Sequence, residues 1–221
     1  MTERKRVGVI LSGCGVYDGS EIHEAVATLY ALEEHGLEAV CLAPDIEQMH
    51  VVNHLSGNVS EGESRNVLVE SSRIARGNIA ALTDESSDDL DGVIMVGGFG
   101  AAKNLSDYAV AGENMKVIPV VEKVLRKCHA DGKPIGALCI SPVILAKLFA
   151  EHSPHLTLGA ESGDAQNLGK IGGVHEVTSH EQTVVDSKLK LVTGPCYMLE
   201  ATVGQVIRGA SAVVGQFQKL L

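Results

Sequence analysis

Lys133-Pro134-Ile135-Gly136-Ala137-Leu138-Cys139-Ile140-Ser141-Pro142 is the stretch on which the reading of the chain turns. Ile135 to Leu138 is a short apolar run of the kind that forms a buried strand, and Ser141-Pro142 has the form of an N-cap followed by a first helical residue. Cys139 therefore falls in the crook between a strand and a helix. Free backbone N–H groups and the positive end of a helix dipole meet there, and both favour a thiolate. A small buried cysteine packed at a turn is the ordinary alternative.

Outward from this unit the same strand-then-helix alternation recurs. Val7 to Leu11 reads as a first strand, and Ser12-Gly-Cys-Gly-Val-Tyr-Asp-Gly19 as a glycine-rich turn. A helix is expected from about Ser20 to Gly36, with Ile22, Ala25, Val26, Leu29 and Leu32 as its apolar stripe. Glu38 to Ala43 reads as a second strand, Asp45 to Gly62 as an excursion over the sheet, and 65–76 as a helix capped by Ser64. Gly92 to Val96 is a further strand ending on Gly97-Gly98-Phe99-Gly100, after which a polar loop precedes a helix from Pro119 to Gly132. Leu156 to Leu158 reads as a short strand, while 159–173 gives no clear signal. Two β-branched runs about Asp186-Ser-Lys188 predict a hairpin, broken by Gly194-Pro195, and a helix from about Tyr197 closes the chain.

This pattern predicts an α/β fold, a three-layer sandwich with a mainly parallel sheet and helices on both faces. At 221 residues the chain fits a single domain, 1–221. In such folds ligands bind beyond the carboxyl ends of the strands. The turns Ser12 to Gly19, Gly97 to Gly100, Cys139 to Ser141 and Gly194-Pro195 should line one rim, where the groups with chemical character are Cys139, Glu21, Glu24, Asn104 and Cys14.

Composition removes several classes of function. Eighteen basic against 28 acidic residues give a net charge of −10 without a basic stripe, which argues against nucleic acid and an anionic membrane surface as partners. Five unpaired cysteines, at 14, 41, 128, 139 and 196, fit a reducing compartment and hold no C-x-x-C spacing, so no metal site is expected. No apolar run approaches a membrane span, and the expected location is cytoplasmic. Gly13-x-Gly15 starts like a dinucleotide fingerprint, but Asp18 stands where the third glycine is needed. Walker, zinc-protease and G-x-S-x-G signatures are missing.

A cysteine nucleophile at an elbow remains. Gly97 and Gly98, with the N–H of Ile140, would supply an oxyanion hole, and Glu24 in the first turn of the first helix is positioned as its acid. The ordinary role of such a glutamate is a solvated helix charge. If buried, its pKa rises and its carboxyl serves as a proton shuttle.

The runs Val9-Ile-Leu-Ser-Gly-Cys-Gly-Val-Tyr-Asp-Gly-Ser-Glu-Ile-His-Glu-Ala25 and Gly97-Gly-Phe-Gly-Ala-Ala-Lys-Asn-Leu-Ser106, with the Cys139 elbow, resemble the ElbB family of isoprenoid-biosynthesis glyoxalases. That family lies within the wider PfpI and class I glutamine amidotransferase-like superfamily. The resemblance spans about 5–148 and 183–200, and Gln48-Met-His-Val51 and Glu61 to Asn66 resemble the animal mitochondrial branch, so a mitochondrial location is the alternative. It implies a flavodoxin-like fold, a homodimer, and a cofactor-independent glyoxalase acting on small 2-oxoaldehydes such as methylglyoxal or glyoxal. By position it implies Cys139 as nucleophile, Glu24 as its acid, and Gly97, Gly98 and Ile140 as backbone donors. Glu21, Asn104 and Cys14 are the further pocket candidates. The chain departs from protease and glutaminase relatives: Ile140 follows the cysteine where a histidine is common, and Val96 stands where proline often precedes the glycines. His152, His155, His175 and His180 sit in no partner motif. A redox or stress sensor whose cysteine is oxidised without turnover is the rival function.

Overall fold

The computed structural model describes residues 4–221. Its main sheet has seven strands in the order β3-β2-β1-β4-β5-β9-β8: β1 (Arg6–Ile10), β2 (Glu38–Ala43), β3 (Ile79–Ala81), β4 (Gly92–Met95), β5 (Ile135–Leu138), β8 (Val184–Asp186) and β9 (Leu191–Gly194). All neighbours are parallel except β8 and β9, which form the expected hairpin. Asp186 sets its turn by accepting from the N–H groups of Lys188 and Leu189, both at 3.1 Å.

Alternation along each strand divides the core into two. Ile10, Val93, Met95, Ile135 and Ala137 join one buried cluster, with Val121 and Val124 of α5 (Pro119–Ala130) and Ile144 and Leu145 of α6 (Pro142–Leu148). Val7, Val9, Ile94 and Val96 join the other, with Ala25 and Ala31 of α1 (Ile22–Glu34) and Ala210 and Val213 of α8 (Val203–Gln218). Helices therefore cover both faces, as a parallel sheet requires. This is the expected flavodoxin-like α/β fold.

Several local expectations need correction. α1 buries Glu24, Ala25, Ala27, Thr28, Ala31 and Leu32, while Ile22 and Val26 of the expected stripe are exposed. The helix is rotated toward its small residues, which let it pack closely, and that rotation takes Glu24 inside. α2 (Val67–Ile74) is capped by Asn66, whose side chain accepts from the Val69 N–H at 3.0 Å, and not by Ser64. The expected polar loop after Gly97 contains two short helices, α3 (Phe99–Lys103) and α4 (Tyr108–Ala111). The unassigned 159–173 holds α7 (Gly163–Ile171), capped by Ser162, and a small separate sheet pairs β6 (His155–Leu156) with β7 (Val174–His175). The last helix starts six residues later than expected, because Thr202 and Gln205 form a capping box at Val203.

The excursion at 45–62 carries two isolated bridges but no regular element, and it lies over the first glycine turn. Buried Asp18 accepts from the Val52 N–H at 2.7 Å there, which explains a carboxylate where a nucleotide fingerprint wants glycine.

Candidate active site at the Cys139 elbow

The strand β5 ends at Leu138 and α6 begins at Pro142, leaving three residues to reverse the chain. Cys139 absorbs the turn with φ 58°, in the left-handed region that costs a non-glycine residue roughly 1–2 kcal/mol. Its neighbours hold it there. The Cys139 N–H donates to the Gly194 carbonyl at 2.9 Å, and the Ser141 N–H closes the elbow on the Leu138 carbonyl at 3.0 Å. Ser141 occupies the N-cap position, but its hydroxyl donates to the Val96 carbonyl at 2.7 Å and so ties the elbow to β4 instead of capping the helix.

Glu24 is fully buried in the first turn of α1. One carboxyl oxygen, Oε1, accepts from the Tyr197 N–H at 3.1 Å. The other, Oε2, has no hydrogen-bond partner of ordinary geometry and faces the Cys139 thiol and the Gly97 amide. Gly97 separates the two side chains: a Cβ there would collide with Cys139 Cβ and Glu24 Oε2 and lie 2.9 Å from Cys139 Sγ. Burial pushes the Glu24 carboxyl up to about 8, so it carries a proton at neutral pH.

Burial, and after it the adjacent Glu24, also push the Cys139 thiol well above its ordinary value. Amides of Gly98 and Ile140 pull the other way, toward the thiolate. The expected thiolate-favouring elbow is present, and desolvation outweighs it in the resting protein. Thiol and carboxyl form a coupled pair, and the first proton leaves the pair as a unit.

Of the donors predicted for an oxyanion hole, Gly98 and Ile140 border the pocket in front of Cys139, and Gly97 does not. The Gly97 amide faces Glu24, and its carbonyl accepts from the Glu21 N–H at 2.9 Å. Gly98 (φ 97°) is obligatory because a Cβ would run into the backbone of Gly19 and Glu21. Glu21 does border the pocket, while its Oε2 caps α1 by accepting from the Glu24 N–H at 2.7 Å.

Asn104 and Cys14 are not pocket residues. The Asn104 side chain is buried as a brace, donating to the carbonyls of Ser12 and Asp18 at 2.8 and 2.9 Å and accepting from the Met49 N–H at 2.9 Å. Cys14 points toward Glu70 and Arg73 of α2, and partial burial raises its pKa. The four histidines also lie elsewhere: His155 pairs with Glu176 at 2.6 Å, His180 bonds the Glu200 carbonyl at 2.8 Å, and neither His152 nor His175 borders the pocket. Among the described residues no group of three or more His, Cys, Asp or Glu side chains is placed to hold a metal.

The pocket, about 500 Å³, also has residues that the sequence reading missed: Tyr108 from α4, Asp164 and Asn167 from α7, and Tyr197 and Met198 from the 3₁₀ turn Cys196–Met198. Tyr197 was within reach, since it follows the Gly194-Pro195 turn already assigned to the rim. Met198 follows it in the same turn, and Tyr108, Asp164 and Asn167 come from elements that carried no signal.

No family model matches the chain. Relatives do. It is 46% identical over 224 residues to the human protein "Glutamine amidotransferase-like class 1 domain-containing protein 3, mitochondrial", covering 97% of this chain and 83% of the relative. It is 31% identical over 210 residues to zebrafish "ES1 protein, mitochondrial", covering 88% and 77%. An isoprenoid biosynthesis protein with an amidotransferase-like domain from Ehrlichia chaffeensis superposes with a TM-score of 0.91 at 32% identity over 98% and 99% of the two chains. Drosophila DJ-1beta shares the fold at a TM-score of 0.56 and 18% identity, over 99% and 96%. With this identity and coverage the chain belongs to the glutamine amidotransferase-like class 1 domain family, built on the DJ-1/ThiJ/PfpI-like fold.

Proposed function

We propose that the protein is a cofactor-independent glyoxalase of the ElbB type, converting small 2-oxoaldehydes such as methylglyoxal to 2-hydroxy acids. One observation carries this reading: the buried Glu24 carboxyl faces the Cys139 thiol beside a glycine that admits no side chain. A carboxyl in that position is kept protonated and free to exchange its proton with sulfur and then with substrate.

In this scheme the Cys139 sulfur bonds to the aldehyde carbon as the coupled pair passes the thiol proton to the carbonyl oxygen. The Gly98 and Ile140 amides stabilise that oxygen while it carries charge. Glu24 then gives its proton to the neighbouring carbonyl oxygen as it takes the hydrogen from the former aldehyde carbon, whose electron pair moves into the new carbon–carbon double bond, giving an enediol. Glu24 returns that proton to the second carbon and takes up the proton of the first hydroxyl, which leaves a 2-hydroxyacyl thioester on Cys139 and a protonated Glu24. Water cleaves the thioester, releasing the hydroxy acid and regenerating the thiol, so one carbon is oxidised as its neighbour is reduced and no external electron acceptor enters.

The rival sensor reading fits less well, because burial and Glu24 push the thiol up and leave little thiolate for oxidants. The lack of a histidine at the pocket speaks against an amide-hydrolysing triad. A mitochondrial location joins the proposal in place of the cytoplasmic one, supported by relatives that are named as mitochondrial. The homodimer is likewise proposed, and sedimentation velocity checks it. The chemical test follows methylglyoxal loss with lactate formation. Cys139→Ala is expected to lose at least 10³-fold in kcat/KM; turnover within tenfold of the wild type would refute the reading.

A further inference from the structure

The pocket in front of Cys139 is larger than methylglyoxal and is bordered by carboxyl groups. About 500 Å³ is within the range that encloses a drug-sized ligand, whereas methylglyoxal has three carbons. The wall beside the sulfur is made by Gly98, Ile140 and Tyr197, and a second wall by α4 and α7. On that second wall the Tyr108 hydroxyl donates to Asp164 Oδ1 at 2.5 Å, and the Asn167 amide donates to the Tyr108 oxygen at 3.5 Å. Asp164 Oδ2 takes no hydrogen bond among the described residues.

Two carboxyl groups, Glu21 and Asp164, border the cavity, and no lysine, arginine or histidine does. The Lys103 ammonium lies 5.2 Å over the ring of the lining residue Phe99, where it donates to the Tyr17 carbonyl at 2.8 Å. An anionic substrate would find no counter-charge among the lining side chains, while a cation would find the Asp164 carboxylate beside Tyr108. Cys139 with the Gly98 and Ile140 amides marks where the reacting carbonyl goes, and Asp164 marks a second anchoring point.

We infer that the preferred substrate is an elongated carbonyl compound with a cationic amine at the end remote from the carbonyl, and that Asp164, oriented by Tyr108, selects it. Val110 and Met198 flank the intervening chain. This rests on the reading of Cys139 as the group that attacks a carbonyl, and it names the substrate class for that site. Asp164 is a specificity residue and takes no part in bond making.

Binding separates this inference from catalysis. Cys139→Ala is titrated calorimetrically with three methyl ketones of matched length, ending in trimethylammonium, hydroxyl or carboxylate. The cationic ketone should bind at least tenfold more tightly than the carboxylate, with the hydroxyl between them. Adding Asp164→Asn should shrink that span to threefold or less, and Tyr108→Phe, which leaves the Asp164 charge in place, should retain the preference for the cation. Thermal melts confirm that each variant is folded. Equal or tighter binding of the carboxylate, no binding of any ketone, or a span unchanged by Asp164→Asn overturns the inference. Methylglyoxal turnover by the wild type is the separate arm: if it fails while the cation preference holds, the glyoxalase reading falls alone. If turnover holds and the preference fails, the selectivity inference falls alone.

Discussion

Cys128 and Cys139 are both buried, and burial pushes both thiols up, Cys128 to about 11 and Cys139 well above its ordinary value. Burial class and the direction of the shift alone do not tell the two apart. What differs is what each sulfur faces. Cys128 lies on the inner side of α5, in a cluster with Val121, Val124 and Leu125, on unstrained helical backbone. Cys139 sits at positive φ, with two backbone amides, a protonated carboxyl and a pocket before it. A reactive cysteine is thus recognised here by the groups gathered around the sulfur, and the strain at the elbow is part of how they are gathered.

The harshest way to break this contrast is to fill the gap between thiol and carboxyl. In Gly97→Ala the new methyl group collides with Cys139 Cβ and Glu24 Oε2, both held by rigid surroundings. Methylglyoxal turnover should fall more than 10³-fold, and the protein should lose about 1–3 kcal/mol of stability from overpacking. Retention of a tenth of the activity would show that Glu24 and Cys139 need not face each other.

Most of the fold could be read from the chain because parallel strands buried on both faces leave continuous apolar runs, and β1, β2, β4 and β5 each stand out that way. β3, only three residues and half-exposed, left no such run. The elbow was legible from Ser141-Pro142 and the glycine turns. Burial of Glu24 was not visible in the hydrophobic pattern, because Ile22 and Val26 marked the wrong face; the sequence carried it only as a condition, and the family resemblance only paired Glu24 with the nucleophile. Asn104 was misplaced for a different reason. A buried amide that braces three backbone groups looks, in sequence, the same as one that meets a ligand.

A gentler change sharpens the comparison by separating charge from shape. The Glu24 carboxyl moves from an ordinary value of 4.5 to about 8 on folding, with burial as the main cause. Between those values the folded protein holds a proton that the unfolded chain has released, so stability falls as pH rises from 4.5 to 8 and levels off above. Glu24→Gln removes the titration while keeping an oxygen for the Tyr197 N–H. Urea unfolding across this range should show the wild type losing on the order of 2–4 kcal/mol relative to the variant. The same variant should lose at least 100-fold in turnover. Parallel stability profiles for the two proteins would mean that Glu24 is ionised throughout, and the coupled pair would have to be abandoned.

The smallest expected effect concerns the other cysteine. Removing the Cys128 sulfur leaves a void in a packed helix face and touches neither the elbow nor the pocket. Cys128→Ala should cost about 1–2 kcal/mol of stability, in line with small core truncations, and leave kcat/KM for methylglyoxal within twofold. Cys139→Ala should show the reverse, because relief of the side chain's packing is small beside the loss of the nucleophile. A double variant therefore should be as inactive as Cys139→Ala and less stable by about the Cys128→Ala increment, since the two sites share no partner. A drop in activity for Cys128→Ala beyond tenfold would place the α5 cysteine in communication with the elbow, and the distinction between an inert and a reactive buried thiol would no longer rest on what each sulfur faces.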